Sequence, residues 1–133
     1  MKIILVDAVN TLIVENNNGF SIFKQMQALL DSFDNQKIII TNANDEQFEK
    51  FNLKNLPYEV FTLKHNPDKT DPQYFKTLLD HFQLRAEDVV YFDHNPEAVK
   101  SAESNRITSH RYDPDKKDLL KLKNFLYKNL QSL

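Results

Sequence analysis

A chain of 133 residues that is 41% hydrophobic, with ten phenylalanines, has length for one compact domain and one core over 1–133 and none for a second. Its net charge of -2 carries no nucleic-acid signal, and the absence of cysteine excludes disulfides, thiolate metal sites and thiol nucleophiles. No apolar run approaches the roughly 18 residues of a membrane span, so the chain is expected to be soluble, unexported and cytoplasmic, with no membrane partner.

The first element is the run Ile3 to Val6, too short and too β-branched for a helix, which reads as a strand covered on both faces and ending at Asp7. Glu15 to Gly19 is a polar tip between apolar segments, at most a short flap. From Phe20, the recurrence Phe20, Phe23, Met26, Leu30, Phe33 has helical spacing and predicts a first helix ending near Asp34. Lys37 to Thr41 repeats the strand pattern, and Asn44 with Gln47 has the form of a capping box opening a short helix over Phe48 and Phe51. Tyr58 to Leu63 is a third strand. Asp71-Pro72 then starts a helix with Phe75, Leu78, Leu79 and Phe82 inward.

Val89 to Phe92 is a fourth strand ending on Asp93, and Asn95-Pro96 opens a helix carrying Ala98, Val99 and Ala102. Ile107 to Tyr112 is a fifth strand, and Asp113-Pro114 starts a last helix with Leu119, Leu122, Phe125, Leu126 and Leu130 inward. Strands alternating with helices throughout indicate an α/β fold with a parallel sheet and right-handed crossovers. With one glycine, Gly19, left-handed backbone positions are expected to fall on Asn or Asp.

Asp7, Thr41, Lys69 and Asp93 each stand just past a strand end. Taken singly they read as a turn residue, a helix cap, a solvated lysine and another cap. Together they converge on the carboxyl edge of one sheet, where open parallel sheets bind ligands. A carboxylate that attacks phosphorus meets a group that is itself negative, so a hard, oxygen-ligated cation and a lysine are needed to neutralise charge.

Asp7-Ala8-Val9-Asn10-Thr11, Ile40-Thr41-Asn42, Lys69-Thr70-Asp71-Pro72 with Phe75, and Phe92-Asp93-His94-Asn95-Pro96-Glu97 resemble, in order and spacing, the four motifs of the haloacid dehalogenase (HAD) superfamily. The resemblance spans residues 2 to about 110 and implies a three-layer αβα Rossmann-like domain with a five-stranded parallel sheet. It implies Asp7 as nucleophile, with Thr41 and Lys69 as further catalytic residues. Phosphate binding would fall to Asp7, Ala8, Thr41, Asn42 and Lys69. Mg²⁺ would be held by Asp7, the Val9 carbonyl and Asp93, with Glu97 in the acidic surround. Asn10 stands where the family usually has glycine, a change that Asn's tolerance of the left-handed region allows.

Val9 is the departure that matters. Phosphatases of the superfamily carry there a second Asp, which protonates the leaving group and later activates water, and valine does neither. General acid–base catalysis contributes about 10² to 10⁴-fold, so the expectation is a slow, Mg²⁺-dependent phosphohydrolase or phosphotransferase working through an aspartyl-phosphate. The alternative is a catalytically inactive phosphate- and Mg²⁺-binding or protein-interaction module. His94, next to Asp93, is placed to replace part of the missing acid. None of His65, His81, His94 and His110 has metal-ligand spacing, and apart from that role for His94 they read as surface or loop residues.

Asp7-Ala8 also resembles the carbon–halogen-cleaving members, which lack the second Asp, but those need no metal, do not usually carry an acid where Asp93 stands and enclose substrate under a helical cap. A phosphorelay receiver domain needs an acidic pair after its first strand and another motif order. The segments joining Asp7, Thr41 and Lys69 are used up by core elements, so no cap domain fits. An uncapped site suits a phosphorylated substrate that is large or presented by a partner.

Overall fold

The computed structural model describes residues 1–131. In chain order the elements are β1 (Ile3–Asp7), β2 (Ile13–Asn16), β3 (Gly19–Ile22), α1 (Lys24–Asp31), β4 (Lys37–Thr41), α2 (Asp45–Lys50), β5 (Glu59–Thr62), α3 (Gln73–Phe82), β6 (Val89–Asp93), α4 (Pro96–Ser104), β7 (Thr108–Arg111) and α5 (Leu119–Leu130). Five strands form a parallel sheet in the order β5-β4-β1-β6-β7, and β2 pairs with β3 as a separate antiparallel hairpin.

Strand alternation sorts the core into two faces. Ile4, Val6, Ile39, Val90 and Phe92 pack with Met26 and Leu30 of α1 and Leu122 and Leu126 of α5. Leu5, Ile38, Ile40, Val89 and Tyr91 pack with Phe75 and Leu78 of α3 and Ala102 of α4. Ile4, Leu5 and Val6 are wholly buried, each contributing on the order of 1.5–3 kcal/mol relative to exposure. This is the expected three-layer αβα sandwich, and among the described residues no inserted domain stands over the sheet. The chain leaves β1 towards one face and β6 towards the other, so these neighbouring strands flank the topological switch point, where such sheets bind ligands.

Two boundaries differ from the expected ones. Phe20 lies on β3, not in the first helix: Phe20 and Ile22 alternate with Ser21 opposite Ile13 to Glu15, and Phe20 meets Phe51 edge-on at 4.8 Å. A period of two across the hairpin won over the helical spacing, and α1 starts only after Phe23. Asp113-Pro114 does not open α5. Asp113 Oδ1 accepts from the Asp115 N–H, Lys117 N–H closes one turn on the Asp113 carbonyl, and Lys117 turns left-handed at φ 47°. Asp118 then caps α5 through the Lys121 N–H at 2.9 Å.

The expectation that left-handed positions fall on Asn or Asp holds for Asn10 and Asn52 but not for Lys64, His65, Gln83, Arg106 and Lys117. Gln83 and Arg106 close α3 and α4 in the manner of a helix-ending glycine. In each, two N–H groups return to carbonyls of the last turn: Leu84 to Leu79 and Gln83 to Asp80, Ile107 to Ala102 and Arg106 to Glu103. Among the described residues no helix is long and apolar enough to cross a membrane.

Candidate active site

The turn after β1 builds the floor of the site. Asn10 takes the left-handed conformation at φ 71°, its N–H bonds the Ile13 carbonyl, and the Thr11 and Ile13 N–H groups both bond the Ala8 carbonyl. Thr11 is thereby folded back so that its hydroxyl donates to Asp7 Oδ2 at 2.7 Å.

Lys69 arrives from the β5–α3 loop. Its N–H donates to Asn42 Oδ1 at 2.7 Å, and its ammonium donates to Asp7 Oδ1 at 2.6 Å and Asp93 Oδ2 at 2.7 Å. Tyr91 donates its hydroxyl to the same Asp93 oxygen. The Asn95 N–H donates to Asp93 Oδ1 at 2.8 Å, and His94 Nδ1 lies 2.6 Å from Asp7 Oδ2 and 3.4 Å from Asp93 Oδ1. Asp7, Lys69 and Asp93 are almost wholly buried.

The electrostatics follow from that packing. Burial pushes the Asp7 carboxyl up, but Lys69 and the bond to His94 outweigh it and hold the group well below the ordinary carboxylate range. Burial likewise opposes the Lys69 charge, and the two carboxylates overcome it. Asp93 is pushed up to about 6 by burial and by the charge of Asp7, with Lys69 offsetting only part of this. The hydrogen bond to Asp7 raises His94. Two carboxylates sharing one lysine are thus driven apart, which leaves Asp7 the firmly ionised one.

These groups border a cavity of about 170 Å³ lined by Asp7, Val9, Thr41, Asn42, Lys69 and Asp93, together with His94, His65, Gln47 and Phe51. Of the residues expected from the sequence, Ala8 has its side chain in the core and serves the turn through its carbonyl. Asn42 spends its side-chain oxygen on the lysine loop. Glu97 lies apart: exposed in the first turn of α4, its carboxylate faces Lys100 at 3.5 Å. Thr41 Oγ1 accepts from the Ala43 N–H at 3.2 Å.

Thr11, Tyr91, Gln47 and His65 were not expected at the site: Thr11 entered only as the end of the first motif, Gln47 as half of the capping box that the structure shows, and His65 as a surface or loop histidine. Tyr91 precedes Asp93 by two residues on one strand, so the strand period alone puts both on one face. His65 Nε2 lies 2.6 Å from Gln47 Oε1, a contact across 18 positions with no local signature.

No family model matches the sequence, and no curated protein matches it. Solved structures do match in fold. A HAD-superfamily hydrolase from Ehrlichia chaffeensis superposes with a TM-score of 0.67 at 14% identity, over 98% of this chain and 100% of the other. A HAD family enzyme from Bacteroides thetaiotaomicron, in complex with magnesium and inorganic phosphate, gives 0.65 at 12% identity over 84% and 93%. A HAD-like protein from Agrobacterium tumefaciens gives 0.60 at 14% identity over 83% and 63%. The fold defines a Rossmann-like αβα domain with its polar cluster at the switch point. More particularly, the chain has the HAD-like fold.

Proposed function

We propose that this chain, as one HAD-like domain, is a slow hydrolase of phosphorylated substrates in which Asp7 is the nucleophile. The observation that carries the reading is the state of Asp7: buried, ionised, at the end of the central strand, with Lys69 against one oxygen and Thr11 and His94 against the other.

In the first step an Asp7 oxygen bonds to phosphorus as the bond to the leaving oxygen breaks, and the pair of electrons leaves with that oxygen. Lys69 and the Thr41 hydroxyl hold the phosphoryl oxygens as charge spreads over them. In the second step water attacks the aspartyl-phosphate, releases inorganic phosphate and restores Asp7. Val9 offers neither the proton that the leaving oxygen needs nor a base for the water, so both steps are slow for unactivated esters. The donor set fits a hard divalent cation, since the Asp7 and Asp93 carboxylates and Val9 border one cavity; Mg²⁺ held there would supply further neutralisation of phosphoryl charge.

A cavity of about 170 Å³ falls below the roughly 300–1,000 Å³ that encloses a whole small ligand. It suits a phosphoryl group whose remaining body lies outside, as in a macromolecular or partner-presented phosphate. A second reading, a phosphate-binding module without turnover, is favoured by Val9 and by the direct neutralisation of both carboxylates by Lys69.

Single-turnover kinetics with an activated aryl phosphate separates the two. Turnover that Asp7→Asn abolishes supports the enzyme. Phosphate-mimic binding without any burst supports the module.

A further inference from the structure

The four carboxylate oxygens of Asp7 and Asp93 are divided between two sides. Lys69 takes Asp7 Oδ1 and Asp93 Oδ2. The remaining pair, Asp7 Oδ2 and Asp93 Oδ1, faces His94 Nδ1 at 2.6 and 3.4 Å, and one ligand atom from each of these three residues lies within 4.8 Å of the others. Adjacent donors around an octahedral cation with bonds of about 2.1 Å are about 3 Å apart, midway between those two separations. The His94 backbone, from which the ring projects, is held on both sides: Arg111 Nε donates to the His94 carbonyl at 2.8 Å, and the next N–H, that of Asn95, is tied to Asp93.

We propose that His94 Nδ1 joins Asp7 Oδ2 and Asp93 Oδ1 as a third side-chain ligand, making the cation site a mixed nitrogen–oxygen one that favours first-row divalent ions such as Mn²⁺, Fe²⁺ and Co²⁺ over Mg²⁺. The inference rests on the carboxylate pair of the proposed function and adds the nitrogen. An imidazole suits these ions, whereas Mg²⁺ prefers carboxylate, carbonyl and water oxygens and dehydrates reluctantly. Oxygen atoms of both aspartates already accept from Thr11 and Asn95, but each carboxylate oxygen has a second lone pair for a cation.

The full chain is titrated with Co²⁺, Mn²⁺ and Mg²⁺ by calorimetry, and the Mn²⁺ or Co²⁺ protein is examined by pulsed EPR or visible absorption. Nitrogen hyperfine coupling is expected in wild type and is lost in His94→Ala and His94→Gln. Loss of the ligand is expected to cost on the order of tenfold or more in Co²⁺ affinity while changing Mg²⁺ affinity little. Absence of nitrogen coupling in wild type, or Co²⁺ affinity in His94→Ala that equals or exceeds that of wild type, overturns the proposal, because a histidine that merely substitutes for the cation strengthens metal binding when removed. Asp93→Asn separates the levels. If it binds every ion as wild type does, the carboxylate pair itself is not the site and the cation part of the proposed function fails too. If it loses all of them while His94→Ala loses none, only the nitrogen ligand is wrong.

Discussion

Lys69 Nζ donates to Asp7 Oδ1 at 2.6 Å, between residues 62 positions apart in the chain. Both side chains are buried, so the pair is screened little and neither charge has water to fall back on. Lys69→Met leaves two buried carboxylates facing each other, and breaking a buried pair on one side costs about 3–5 kcal/mol. Urea unfolding in EDTA is expected to show a loss of that order, part of it recovered with a divalent cation. A loss under about 1 kcal/mol would mean that the cluster relaxes into solvent on losing its lysine.

The same cluster sets a pH dependence. Asp93 is raised from 3.8 to about 6 in the native protein, so between those values the folded state binds a proton that the unfolded chain has released, and stability falls as pH rises. His94, raised from 6.5, extends the decline above that value. Asp7 is lowered, so its contribution is present above 3.8 and is lost as the pH drops below that value. Thermal melts of metal-free protein should therefore peak at about pH 4 and decline as the pH rises through about 6 and beyond 6.5. A divalent cation should flatten that decline. A curve rising monotonically to neutrality would contradict the assignment.

Val9 borders the cavity and also packs against the core, so a carboxylate introduced there gains more by turning into the cavity than by staying against apolar side chains. Val9→Asp is expected to raise single-turnover hydrolysis of an alkyl phosphate by at most about 10² to 10⁴-fold, and of an activated aryl phosphate much less, since that leaving group needs little protonation. Equal gains for both esters would place the deficit elsewhere than in proton transfer.

Gln83 and Arg106 are exposed and left-handed at φ 55° and 66°. A side chain in that conformation costs roughly 1–2 kcal/mol, of which glycine returns about 0.5–1 through the freedom of its unfolded chain. Gln83→Gly and Arg106→Gly should each stabilise the protein by about 0.5–1 kcal/mol, additively if the sites are independent. Chemical denaturation of the single and double variants checks this, and destabilisation by either would show that its side chain earns more than its backbone loses.

The parallel sheet and the placement of Asp7, Thr41, Lys69 and Asp93 were legible in the sequence because they depend on local regularities, namely apolar runs of strand length, helical spacing and Asn or Asp caps, whereas the three-layer order was implied by the resemblance of the four motifs. Phe20 was misread because its two signals compete. It fits a helical period with Phe23 and a strand period with Ile22, and only the partner strand at Ile13 to Glu15 decides between them. Asp113-Pro114 carries a start signal that closes a single turn, since nothing local marks Lys117 as the residue that turns left-handed.

Residue types and their order along the chain determined by themselves that carboxylates and a lysine would meet at one sheet edge, since a strand delivers its last side chain wherever the sheet puts the strand's end. The tertiary structure alone decided how those charges are shared. Which oxygens Lys69 takes, and that His94 turns its Nδ1 onto Asp7, depend on distances between segments remote in sequence, whereas Thr11, Tyr91 and Glu97 find Asp7, Asp93 and Lys100 within four residues and still need the fold to show which way each side chain turns. The energies that matter there, burial and charge at separations near 3 Å, change steeply with position and leave no periodic trace in the chain.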